Sequence, residues 1–199
     1  MVEEQLVKRG IGSEAVLNAM LSVPRHLFVP EGLAARAYDD SPLSIGHGQT
    51  ISQPYIVAYM TEQLQPAQGM KILEIGTGSG YQAAVLAQLG CKVYTVELIK
   101  EHAERAVQIF SQLNLDIKVK QGNGYLGWEE ETPFDAAIIT AAPENIPEKI
   151  IGQLKDGGRM IVPVGPVHFV QHLKLIIKKG STYTAEDLLP VRFVPMVRE

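Results

Sequence analysis

The run Ile72-Leu73-Glu74-Ile75-Gly76-Thr77-Gly78-Ser79-Gly80-Tyr81 reads as a buried strand that enters a glycine-rich turn and opens a helix. Glycines are needed there because the backbone must turn sharply and let a ligand approach with no side chain in between. The alternation of strand and helix then continues. Lys71 to Ile75, Lys92 to Glu97, Ile117 to Gln121, Phe134 to Thr140 and Arg159 to Val164 are short apolar runs of strand character. Between them lie helical patterns at Gly80 to Leu89, at Ile99 to Leu113 with Ala103, Ala106, Val107, Phe110 and Leu113 inward, and at Pro147 to Leu154, ending at Gly157-Gly158. Strands alternating with helices require a mostly parallel sheet covered on both faces, because parallel neighbours are joined by crossovers. Two more strand-like runs, His172 to Lys178 and Leu189 to Met196, follow with no helix between them and predict an antiparallel addition at one sheet edge. The expected fold is α/β: a doubly wound, Rossmann-like, mostly parallel sheet of seven strands, with ligands at the carboxyl ends of the strands.

A dinucleotide site would read G-x-G-x-x-G and seat a pyrophosphate on the helix N-terminus. This loop reads G-x-G-x-G, with Tyr81 where the third glycine would fall. The spacing favours a ligand without phosphates, for which S-adenosyl-L-methionine is the common case, and it argues against a nicotinamide-dependent oxidoreductase. Glu97 ends the next strand about 20 residues beyond the start of the loop, where a carboxylate can accept hydrogen bonds from both ribose hydroxyls of an adenosine moiety. Gly122-Asn123-Gly124 follows the third strand, beside the expected adenine position. Asn123 there is either an acceptor for the exocyclic amine or part of a turn chosen for its positive φ angles.

Composition narrows the partners. A chain of 199 residues is expected to form one domain, with residues 1–66 an N-terminal helical extension carrying a substrate and cofactor loop and 67–199 the cofactor-binding core. The net charge of −4 argues against nucleic acid, which demands a Lys/Arg surplus on some face. No segment approaches the ~18 consecutive apolar residues of a membrane helix, and the acidic start Met1-Val2-Glu3-Glu4-Gln5 does not look like a secretory signal, so a cytoplasmic protein is expected. The lone Cys91 excludes an internal disulfide framework and reads as a small apolar residue at a strand start. His168 and His172 suit a metal only on a helix, and their surroundings read as strand, so no metal is expected. The absence of a long heptad run points to a monomer.

In the N-terminal extension, Ser13 is a plausible N-cap for a helix carrying Val16, Leu17, Met20 and Leu21, which Pro24 stops. A short helix is expected at Glu31 to Ala37. Tyr38 to Ser52, with Pro42, Gly46 and Gly48, reads as a loop of 15 residues, a length that in a compact domain is usually either functional or disordered. Pro54 then suits the first turn of a helix with Val57, Met60 and Leu64 on one face.

The segment Tyr38-Asp39-Asp40-Ser41-Pro42-Leu43-Ser44-Ile45-Gly46-His47-Gly48-Gln49-Thr50-Ile51-Ser52-Gln53-Pro54 resembles the signature loop of the protein-L-isoaspartate O-methyltransferases. Val23-Pro24-Arg25, Phe28-Val29-Pro30, Pro133-Phe134-Asp135, Thr140-Ala141-Ala142, Gly157-Gly158-Arg159-Met160 and Val191-Arg192-Phe193-Val194-Pro195 extend the likeness over nearly the whole chain. The resemblance implies methyl transfer from S-adenosyl-L-methionine, leaving S-adenosyl-L-homocysteine, to the α-carboxylate of L-isoaspartyl residues in aged proteins and peptides. The ester then closes to a succinimide without enzymatic help.

It also places the active-site serine at Ser52, a residue that would otherwise serve as N-cap for the Pro54 helix. It assigns cofactor contacts to Thr50, Ile51, Ser52, Glu74, Gly76, Thr77, Gly78, Glu97, Leu98, Gly122 and Asn123. The Val191 to Pro195 strand would be an unpaired edge lining the peptide groove. The family usually carries Asp where this chain has Asn123, which keeps the acceptor oxygen and loses the charge. The remaining alternatives are a methyltransferase of another carboxylate or small molecule, and a non-catalytic S-adenosylmethionine-binding module.

Overall fold

The computed structural model describes residues 1–166 and 169–198. His168, one half of the histidine pair weighed as a metal site, lies outside the described residues. The N-terminal segment begins with short helical turns, and Ser13 then caps α1 (Glu14–Ser22), its hydroxyl accepting from the Val16 amide at 3.4 Å. After Pro24 the chain makes two 3-10 turns, Arg25–Phe28 and Glu31–Arg36, the second in place of the expected short helix.

The expected loop from Tyr38 to Ser52 is half ordered as a hairpin, β1 (Leu43–Gly46) against β2 (Gln49–Ile51). Its two-residue turn, His47-Gly48, has φ of 52° and 71°. Positive φ at both central residues matches the right-handed twist of the strands. The alternation was present in the sequence, with Leu43 and Ile45 buried and Ser44 exposed, but over too few residues to stand out. α2 (Pro54–Leu64) buries Val57, Met60 and Leu64 as the spacing required.

The main sheet contains β3 (Lys71–Ile75), β4 (Lys92–Glu97), β5 (Ile117–Gln121), β6 (Phe134–Ile139), β7 (Leu154–Val164), β8 (Gln171–Lys179) and β9 (Thr182–Val191), in the order β5-β4-β3-β6-β7-β8-β9. The first five of these are parallel, and β8 and β9 add antiparallel at the edge. The helices between them are α3 (Tyr81–Gln88), α4 (Lys100–Gln112) and α5 (Glu148–Gly152). Strand alternation divides the core. Ile72, Ala136, Ile138 and Ile161 face the apolar cluster that holds Met20, Val57, Leu64, Val85 and Phe110, so the N-terminal helices and the core share one interior. Leu73, Ile75, Ala137, Ile139 and Met160 face the opposite cluster with Ile150 and Ile151 of α5.

Three further expectations change. On α4 the buried seam is His102, Ala103, Ala106, Ile109 and Phe110, while Val107, expected inward, lies one step around the helix and is 49% exposed. α5 is shorter than read, and β7 begins at Leu154 rather than Arg159, pairing with Phe134 before a register shift at the glycines. The last strand ends at Val191 and does not run from Leu189 to Met196. The buried Gln171 side chain causes the departure: its Oε1 accepts from the Phe193 amide at 2.6 Å and its Nε2 donates to the Phe193 carbonyl at 3.2 Å. Residues 192–196 therefore leave the sheet and cross its carboxyl end, where the Ala142 amide donates to the Val194 carbonyl and the Met196 amide to that of Ala142, each at 2.8 Å. Val191 to Pro195 is thus not an unpaired edge strand.

The glycine turn meets α4 at Gly80, where φ is +89° and an added Cβ would lie 2.7 Å from two Phe110 ring atoms. Gly80→Ala combines a left-handed backbone with a clash against a buried ring. It should destabilise the protein by about 1–3 kcal/mol, seen as a lower urea midpoint with an unchanged slope.

Candidate active site

The chain crosses from one side of β3 to the other at the β3/β6 boundary, and there the carboxyl ends of both strands border a crevice. Thr140, just past β6, closes it from below. Its amide donates to the Ile75 carbonyl at 2.9 Å, and its hydroxyl sits 3.1 Å from the Ile75 carbonyl and 2.5 Å from that of Gly76. Gly76 has φ of +91°, and a Cβ there would fall 2.5 Å from the Thr140 hydroxyl, so only glycine passes.

Glu97 holds the loop from the other side. Its Oε2 accepts from the Gly78 amide at 2.7 Å and its Oε1 from the Ile99 amide at 2.9 Å. Each oxygen keeps a lone pair, so the carboxylate can still receive a pair of hydroxyls. Thr50, Ile51, Ser52, Gly76, Thr77, Gly78, Glu97 and Leu98 come together around one cavity. A bare glycine loop and a carboxylate with spare acceptor capacity fit the adenosine and amino-acid ends of S-adenosylmethionine.

Three expected residues stand outside the cavity lining. Gly122 and Asn123 lie beside it, and Gly124 lines it instead. Asn123 Oδ1 accepts from the Tyr125 amide at 2.9 Å, so its side chain caps the following turn. Glu74 lies beneath the loop, fully buried. Its Oε2 accepts from the Thr95 hydroxyl at 2.5 Å, and Thr95 meets the Thr77 hydroxyl at 2.6 Å, which links Glu74 to the loop from underneath. Burial, reinforced by the nearby Glu97, pushes the Glu74 carboxyl up to about 8. Further lining comes from Thr140 and from Val194 to Val197, brought in by the crossing of the carboxyl-terminal segment. Thr140 could have been located from its place at the strand switch; the Val194 segment had no local signal.

A second cavity adjoins the first and shares Thr50, Ser52, Thr140 and Val194 with it. Arg9, Tyr55, Arg192 and Phe193 line its outer part. The Arg9 guanidinium lies 3.5 Å over the Tyr55 ring and pairs with Asp40.

Ser52 sits at the junction, and its alternative duty as a helix cap is taken elsewhere. The N-cap of α2 is Gln53, with no side-chain bond, and Asp40 Oδ1 accepts from the Tyr55 amide at 3.0 Å. The Ser52 carbonyl accepts from Arg25 Nη2 at 2.6 Å, a contact for which the sequence offered no sign. His47 is exposed at the hairpin turn, and His172 lies on β8.

With this geometry in hand, the comparisons with known proteins agree. A model of the protein-L-isoaspartate(D-aspartate) O-methyltransferase family matches residues 1–199. A protein-L-isoaspartate O-methyltransferase of Opitutus terrae is 52% identical over 100% of this chain and 86% of its own length, and one of Gloeobacter violaceus is 52% identical over 100% and 98%. A solved protein-L-isoaspartate O-methyltransferase superposes with a TM-score of 0.88 at 31% identity, covering 98% of this chain, which spans 65% of that longer one. A Plasmodium falciparum structure described as an enzyme of this kind in complex with S-adenosyl-L-homocysteine gives 0.85 at 28% identity, over 100% of this chain and 97% of its own. The chain belongs to the protein-L-isoaspartate(D-aspartate) O-methyltransferase family. Among the described residues no helix is long and apolar enough to cross a membrane.

The raised Glu74 value has a defined sign. Between the ordinary carboxylate value of 4.5 and about 8 the folded protein keeps a proton that the unfolded chain has released. Stability is therefore greatest below that window and falls as pH rises through it. Over pH 5 to 8.5 the wild type should lose on the order of a few kcal/mol relative to Glu74→Gln, read from paired urea titrations. Parallel pH profiles in the two proteins would rule out a titrating Glu74.

Proposed function

We propose that this protein methylates the α-carboxylate of L-isoaspartyl residues in proteins and peptides, using S-adenosyl-L-methionine and releasing S-adenosyl-L-homocysteine, and so begins their repair through a succinimide. The observation that carries this reading is the meeting of two cavities at Ser52: one edged by the glycine loop and Glu97, and a second edged by Arg9 and Arg192. Bound S-adenosylmethionine would supply an electrophilic methyl group on a sulfonium sulfur. Glu97 would receive the ribose hydroxyls, with Thr50, Ile51, Gly76, Thr77, Gly78 and Leu98 around the rest. Glu74 supports the loop from below, and Gly122 and Asn123 set the turn that presents Gly124.

The substrate carboxylate is ionised at neutral pH and is itself the nucleophile, so no general base is required. The protein's work is alignment and exclusion of water. Ser52 donates its hydroxyl to the substrate carboxylate at the junction, while Thr50 and Val194 flank the point of transfer. The groove along Leu189 to Val194 receives the extended peptide. The enzyme acts as a monomer in the cytoplasm, on protein rather than nucleic acid; the net charge of −4 supports the last point.

Methyl transfer to matched isoaspartyl and aspartyl peptides tests the reading, with activity expected on the isoaspartyl peptide alone. Equal activity on both, or none on either, would refute it. Ser52→Ala should keep its affinity for S-adenosyl-L-homocysteine within about twofold while kcat falls by on the order of a hundredfold. Turnover near that of the wild type would remove Ser52 from the chemistry.

A further inference from the structure

Arg25 is an expensive residue for its place. It is wholly buried, yet no carboxylate lies within ion-pairing distance among the described residues. A buried charge without a paired partner carries a large desolvation cost, and an apolar side chain of similar size would fill the same space more favourably. Burial accordingly pulls its guanidinium down to about 10.

Two of its three guanidinium nitrogens donate to backbone carbonyls, and the buried Nη1 has no geometric partner among the described residues. Nε donates to Ala37 at 2.7 Å and Nη2 to Ser52 at 2.6 Å, while the guanidinium carbon stands 4.7 Å over the ring of Tyr81, which lines the first cavity. The planar fork thus joins three separate pieces of chain: the end of the Glu31–Arg36 turn, the residue before the N-cap of α2, and the start of α3.

From this geometry we infer that Arg25 is a positioning residue for methyl transfer: by holding the Ser52 carbonyl it fixes the backbone from which the Ser52 hydroxyl projects into the junction of the two cavities. Ser52 follows β2 and precedes Gln53 and Pro54, so neither strand pairing nor helix hydrogen bonding fixes its carbonyl. Asp40 settles the start of α2 through the Tyr55 amide, leaving the peptide between Ser52 and Gln53 to Arg25 alone. A lysine at position 25 would retain the charge and lose the fork.

The inference rests on the proposed role of Ser52, and a double-mutant cycle separates the two. Single-turnover methyl transfer to an isoaspartyl peptide is measured for wild type, Arg25→Lys, Ser52→Ala and the double variant. Melting temperature and S-adenosyl-L-homocysteine affinity are recorded for each. Arg25→Lys should lower the transfer rate by on the order of tenfold, with S-adenosyl-L-homocysteine affinity within about twofold, and the loss should vanish in the Ser52→Ala background. Arg25→Met, which cannot donate at all, should lose more in rate and show the same dependence on Ser52.

Equal losses with and without the serine would assign Arg25 to general stability and overturn the inference, as would an Arg25→Lys protein that turns over like wild type or fails to fold. If Ser52→Ala alone leaves the rate unchanged, the proposed role of Ser52 fails and this one falls with it. If no isoaspartyl peptide is methylated by the wild type, the functional reading itself fails.

Discussion

The contact between Thr140 and the Ile75-Gly76 peptide groups is the constraint on which the rest of the site depends. It pins the exit of β3 to the exit of β6 at the one place where the sheet's winding reverses, and it does so through a hydroxyl that occupies the space a side chain at 76 would need. The glycine loop is therefore forced upward and over, bringing the Gly78 amide within reach of Glu97 at the end of β4. Glu97 then fixes the loop's far side and, through the Ile99 amide, the entry to α4. Three strand ends are thereby locked into one rim by two side chains, Thr140 and Glu97, bonded to backbone groups.

The two acidic residues of this rim divide their tasks by environment. Glu97 has backbone amides on both oxygens and faces the cavity. Glu74, completely buried, has one hydroxyl donor, and its other oxygen lacks a hydrogen-bond partner among the described residues, a setting that favours the proton. The Thr95 and Thr77 hydroxyls connect Glu74 to the loop, so the neutral acid below supports what the carboxylate above presents. Asn123 fits the same logic. Its capping bond to Tyr125 requires an acceptor oxygen and no charge, which explains how an amide can stand where the family usually carries Asp without disturbing the turn.

Much of this was legible because buried parallel strands are nearly continuous apolar runs. Lys71–Ile75 and Lys92–Glu97 coincide in sequence and structure on that account, while Ile117–Gln121, with no buried residue, was legible from Ile and Val alternating with lysine. The carboxyl-terminal region resisted reading for the opposite reason. β9 is exposed along most of its length, so its apolar residues carry no period, and its end is set by a glutamine on the neighbouring strand. The 43–51 hairpin was hidden by its brevity, its turn requiring positive φ at a histidine that propensity alone would not nominate. Arg25 appeared in the sequence only as part of a family likeness; its contacts with Ala37 and Ser52 join segments that no local pattern relates.

The cofactor side and the substrate side of the site are also built by different means, and this bears on how each can vary. The glycine-loop rim consists of strand ends of the parallel sheet, tied together by the Thr140 hydroxyl and the Glu97 carboxylate, so a substitution there disturbs the sheet itself. The groove is assembled from the N-terminal turn with Arg9, the hairpin's exit at Ser52, and the Phe193 segment released from β9 by Gln171. None of these three is part of the parallel core, and each is fastened by side chains: Asp40 and Tyr55 for Arg9, Arg25 for Ser52, Gln171 for Phe193. Changes in the groove can thus alter its lining while leaving the glycine-loop rim intact. The exceptions are Thr50, Ser52, Thr140 and Val194, which line both cavities and tie the geometry of one to that of the other.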